Sequence, residues 1–164
     1  MAKHIWSVLC YKGVLDQYTN QVSLLDVVEG ITAKLLAPAP TGEGREVQVP
    51  LQGLMLVTLW TRSDLAVPEE ATTRVRMIVP GGASRRPNVV KVDLTKHVRS
   101  RSFMRFESLP FHGNGYYYFV VEVQEEQTDE WHIVAELPLE FRLEQQPTMT
   151  PEVAPAPSES PATQ

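Results

Sequence analysis

The stretch from Trp131 to Leu143 alternates with a period of two. Trp131, Ile133, Ala135, Leu137, Leu139, Phe141 and Leu143 fall on one side, and His132, Glu136, Glu140 and Arg142 on the other. Successive side chains of a pleated strand point to opposite faces, so the pattern predicts a strand with one buried face. Pro138 falls in the outward set, and because it has no N–H for a ladder it marks an edge position or a bulge. Upstream, Tyr117, Phe119, Val121 and Val123 alternate with Tyr118, Val120, Glu122 and Gln124. The polar connector from Glu125 to Glu130 makes these two runs an antiparallel hairpin.

Shorter segments repeat the signal. Val75, Met77 and Val79 share a side before the turn sequence Pro80-Gly81-Gly82, Val90 to Leu94 alternates, and Phe103 to Phe106 reads as one more strand. His4 to Tyr11, Val22 to Leu35 and Leu51 to Thr61 are longer apolar runs rich in Val, Leu, Ile and Thr. No segment carries a capped stripe with the 3.6-residue helical period. The sequence therefore predicts an all-β chain, an antiparallel β-sandwich of about seven to nine strands over residues 1–144. Residues 145–164 hold Pro147, Pro151, Pro155, Pro157 and Pro161 with no aromatic, Lys or Arg, which predicts a disordered tail. Pro155-Ala156-Pro157 has the composition of a polyproline turn, but a solvated tail without a partner is the favoured reading.

Composition narrows the chemistry. The chain of 164 residues is 43% apolar and 21% charged, values of a globular domain. Its single cysteine, Cys10, excludes an internal disulfide framework and a four-thiolate zinc site. The opening apolar run is too short for a secretory core, and the charge-free stretch Val47 to Thr61 is shorter than the roughly 20 residues of a spanning helix. These features, with one free thiol, set the expectation of a cytoplasmic protein.

Few residues stand in a catalytic pattern. Cys10 shares an alternating set with Trp6 and Val8, which points to a buried structural thiol rather than a nucleophile. His4, His97, His112 and His132 show no helical zinc spacing, and the aspartates form no Asp-x-Asp loop, so no metal or cofactor is expected. Pro80-Gly81-Gly82-Ala83-Ser84 lacks the ending of a phosphate loop, and Gly113-Asn114-Gly115 reads as a hairpin turn. Glu29 falls in register with Leu25, Val27, Ile31 and Ala33, which makes it a candidate buried carboxylate. A bulge at Gly30 would instead turn it outward, or an arginine would hold it in a structural pair.

Charge is unevenly placed. Residues 74–105 hold nine basic groups against Asp93 alone, a block of +8, and residues 107–144 hold nine acidic groups against Arg142 alone, a block of −8. The overall charge of −5 is thus largely a cancellation. Arg85, Arg86, Arg99 and Arg101 are candidate contacts for an acidic partner, unless the blocks neutralise each other across strands. Without interleaved aromatics, nucleic-acid or polyanion binding by this segment is the weaker alternative. Leu54 to Trp60 is apolar on both alternating sets, as in a strand covered on both faces or one whose outer face meets another subunit.

Two stretches carry a resemblance. Cys10 through Glu29 (CYKGVLDQYTNQVSLLDVVE), and Leu109 to Tyr118 (LPFHGNGYYY) followed by Ala135-Glu136-Leu137-Pro138-Leu139, resemble a family of small bacterial all-β proteins of unassigned function. The resemblance covers most of residues 4–141. It implies a sandwich related in outline to immunoglobulin-like or C2-like domains, and it carries no activity, substrate or site residue. The expectation is a non-enzymatic domain that binds a protein partner or itself. The alternative is a small-molecule-binding or hydrolytic domain with a pocket near Glu29 or Cys10.

Overall fold

The computed structural model describes residues 1–35, 47–85, 87–125 and 128–145. Nine strands follow in order: β1 (Lys3–Leu15), β2 (Val22–Val27), β3 (Gly30–Leu35), β4 (Val47–Thr61), β5 (Glu69–Ile78), β6 (Asn88–Leu94), β7 (Arg99–Phe111), β8 (Gly115–Gln124) and β9 (Trp131–Gln145). They form a four-stranded sheet, β2-β1-β4-β7, and a five-stranded sheet, β3-β9-β8-β5-β6. All pairings are antiparallel except β3 with β9. The expected β-sandwich is what the chain adopts. The Pro-rich segment lies outside the described residues apart from Gln145.

The two sheets share one core because each offers an apolar set of period two. Leu54, Leu56 and Trp60 of β4 meet Tyr117, Phe119, Val121 and Val123 of β8 and Leu139 and Phe141 of β9, all buried. One end of the sandwich is plugged by buried Arg62. Its guanidinium donates from Nε to Leu94 O at 2.7 Å, from Nη2 to Thr95 O at 2.9 Å and from Nη1 to Leu65 O at 3.1 Å.

Three sequence expectations change in detail. The alternation of β9 slips once: Val121 pairs with Ala135 but Glu122 with Ile133, so Val134 is an extra residue in a bulge. Trp131 and Ile133 therefore leave the core side, Ile133 exposed, while Val134 packs on the core. Gly113-Asn114-Gly115 joins β7 of one sheet to β8 of the other, so it arches between sheets instead of closing a hairpin. Buried Tyr117 pins that arch, accepting the His112 N–H at 2.9 Å and donating to Gly113 O at 3.1 Å. The glycines supply φ of 108° and 143°.

The run Val22 to Leu35 is broken in the middle. β2 pairs with Cys10 to Leu15 of β1, then Val28 and Glu29 cross to the second sheet, where β3 pairs with Glu140 to Gln145 of β9. One length of chain thus covers half of each sheet edge. Lys3 to Leu9 of β1 and Trp131 to Leu139 of β9 have no strand beside them on that side among the described residues. Pro138 lies in the uncovered half of β9. Because the Glu140 N–H points across that edge to Glu29 O at 3.0 Å, the ring nitrogen two residues earlier also faces the open side, where no donor is required.

Candidate functional site

The outer face of the four-stranded sheet is covered over Cys10, Met55 and Val57, while Phe103 of β7 stays 46% exposed. Cys10, Met55 and Val57 form a second buried cluster there, with Trp6 and Leu24 packed on it. The distal part of the β1–β2 hairpin lies over this face. The Cα of Gly13 sits where an added Cβ would stand 3.4 Å from Phe103 and 3.6 Å from Met55, and Asn20 Oδ1 accepts from Arg101 Nη1 at 3.1 Å. Asp16 rigidifies the hairpin tip by accepting the Tyr18 and Thr19 N–H groups. Cys10 is 0% exposed, and burial raises its thiol pKa against a hydrogen bond from the Lys12 backbone. The outer set of Leu54–Trp60 is covered by side chains of this same chain.

The outer face of the five-stranded sheet holds a carboxylate. Glu122, 3% exposed, accepts from Arg74 Nε at 2.5 Å and takes Arg76 in a two-point grip at 3.0 Å. Arg74 also lies 4.0 Å from the centroid of the Trp131 ring. Burial alone would raise the Glu122 pKa, but the hydrogen bonds and charges of both arginines outweigh it and hold the group below the usual glutamate range. The basic and acidic blocks do meet here, because β5 pairs with β8.

The four arginines chosen from sequence do not form one patch. Arg99 and Arg101 lie on one end of β7, beside Thr61 and Leu59. Arg85 is near the other end, its Nη2 2.6 Å from His112 Nε2, most of the length of a strand that spans roughly 40 Å at ~3.3 Å per residue. Arg86 lies outside the described residues.

Glu29 is exposed, not buried, because the chain leaves one sheet for the other at that point. It lines a groove of about 530 Å³ where β2 crosses to β3. Val8 and Leu137 give the groove apolar surface over a floor of buried Leu9 and Val28, and Glu29, Glu136 and Glu140 give it carboxylates. Among the described residues, no Lys or Arg lines it. Val27 and Tyr116 on its walls are 60% and 56% exposed. Cys10 is not part of it. Glu140 is paired with Arg142 at 2.6 Å.

Sequence reasoning missed Ser7. It lines the groove, and its Oγ lies 2.7 Å from His4 Nε2. Burial lowers the His4 pKa, against a backbone hydrogen bond with Trp6 that raises it, so the ring is neutral near pH 7. His4 also packs edge-on against Trp60, ring centroids 5.3 Å apart. The spacing Ser-x-x-His read backwards is too common to signal this contact. Ile5, the extra residue of a bulge in β1, brings both side chains to the inner side.

Elsewhere, ligand atoms of Glu125, Glu130 and His132 come within 4.8 Å of one another at the β8–β9 turn. His132 Nε2 stands 3.3 Å from Glu125 Oε2. No described helix is long and apolar enough to cross a membrane. No family profile, curated protein or solved structure matches the chain.

Proposed function

We propose that the chain is a non-enzymatic interaction or assembly domain that engages protein through the β2–β3 crossover groove. The observation that carries this reading is the groove itself: apolar surface walled by half-exposed Val27 and Tyr116, at a place where both sheet edges lack a covering strand among the described residues. Exposed aromatic and aliphatic side chains around a concave apolar surface are the usual anchors of protein contacts. A reducing cytoplasm is part of the proposal, supported by the single buried thiol. A photo-crosslinking amino acid placed at Tyr116 is expected to give a protein adduct in a native extract, with a partner or a second copy. The same probe at exposed Val89, on β6, is expected to give none. Equal labelling at both positions, or none at Tyr116, would contradict the reading.

A second reading is supported by the Ser7–His4 contact. A neutral imidazole beside a hydroxyl in a groove is the minimum arrangement for an activated nucleophile. A fluorophosphonate probe separates the two readings, since stoichiometric labelling lost in Ser7→Ala supports a hydrolytic site and an unlabelled protein supports the interaction domain.

A further inference from the structure

We infer that the partner in this groove is a second copy of the chain, whose β7 inserts Phe103 between the groove carboxylates. The inference rests on the interaction reading above and names its occupant.

Phe103 is 46% exposed on the outer face of β7, and it stands between Arg101 and Arg105 in the same outward row. Arg105 is exposed, and β7 carries Arg99 as well against one acid, Glu107. This ridge is an aromatic anchor flanked on one side by the exposed Arg105 guanidinium and on the other by Arg101, which also donates to Asn20 of the same chain. The groove is its complement in both respects, offering apolar surface from Val8, Val27, Tyr116 and Leu137 beside the carboxylates of Glu29 and Glu136, Glu140 being held by Arg142. Guanidinium–carboxylate hydrogen bonds are charge-assisted and directional, and an aromatic seated between them excludes water from the contact. The same complementarity explains why the chain keeps a basic and an acidic block when only part of each is consumed internally by Glu122.

Strand order decides the geometry of assembly. β7 is one edge of its sheet and the groove lies at the other, beside β1 and β2. A copy cannot fill its own groove, and the contact is between unlike surfaces, so each added copy presents a fresh groove and a fresh ridge. Assembly is therefore heterologous and grows as a row rather than closing as a two-fold dimer.

Sedimentation velocity on the full chain across a concentration series tests this, at low and at high salt. The expected result is a mass that rises past the dimer with concentration at low salt and returns to the monomer at high salt. Arg105→Glu and Glu136→Arg, both at exposed positions and so tolerated by the fold, are each expected to weaken association by at least about tenfold. Mixing the two variants in equal amounts is expected to restore it, because each supplies the complementary charge. A wild-type chain that stays monomeric, variants that associate like the wild type, or a mixture that stays monomeric each overturn the inference. The interaction reading survives those outcomes if the Tyr116 probe still captures a different protein, and falls only if that probe gives no specific adduct.

Discussion

Val57 on one sheet and Glu122 on the other are both almost fully buried on outer faces, where a two-layer protein has no third layer to cover them. Val57 is covered by apolar side chains and a folded-over hairpin: Trp6, Leu24, Met55 and the arm held by Asn20 and Arg101. Glu122 is covered by two arginines, one of them stacked on Trp131. The first cover depends on where a hairpin lies, and the second on a charge state. Equal burial therefore conceals unequal sensitivities.

The largest break in this comparison is expected from Glu122→Ala, which leaves two arginines facing each other over an apolar floor. It should lower unfolding free energy in denaturant by about 3 kcal/mol. Replacing Arg74, Glu122 and Arg76 together by Met, Leu and Met should lose less than the single change, because no uncompensated charge then remains. Val57→Ala is next, at about 2 kcal/mol from lost apolar burial and a small cavity.

Acid then separates the two covers. Glu122 titrates near 4.3 in an unfolded chain, roughly, and lower when folded. Its contribution is complete above that unfolded value and is lost as pH falls through the depressed folded one. The stability gap between wild type and Glu122→Gln should thus shrink below about pH 4, while the Val57→Ala gap stays constant over the same range. A Val57 gap that followed pH would dissolve the distinction. The smallest effect is expected from Asn20→Gly, which keeps the left-handed φ of 54° accessible and removes only the tether to Arg101. Alkylation of Cys10 under native conditions should become a few-fold faster, about what the loss of one exposed hydrogen bond allows. An unchanged rate would mean the arm is held by packing alone.

Strands were legible wherever one face alone is buried, because alternation is then enforced residue by residue. The β8–β9 pair shows this best, and also shows the limit. A single extra residue, Val134, moves Trp131 and Ile133 across the sheet, and nothing in composition marks that position. The arch at Gly113–Gly115 looks like a hairpin because both need left-handed backbone, and only the destination of β8 tells them apart. Glu29 is a candidate for burial on sequence for a related reason: the apolar register is continuous through Val28, but the chain changes sheets there. The groove was half visible, with Glu29 singled out and Ser7, Tyr116 and Val27 not, since it is assembled from four distant segments. The charge blocks were legible in full, but the sequence does not tell how much of each is spent within the fold.

The parallel pairing of β3 with the last residues of β9 also sets an order of events. β1, β2 and β4 can join as soon as residues up to Thr61 are synthesised, whereas β3 has no ladder until Glu140 to Gln145 have left the ribosome. This strand thus waits, unpaired, until the strands between it and the end of β9 have been made. Such non-local closure slows folding and exposes an edge on which nascent chains stick to one another. Truncation within β9 would leave that wait without an end, and premature release there should yield aggregate rather than a smaller folded domain.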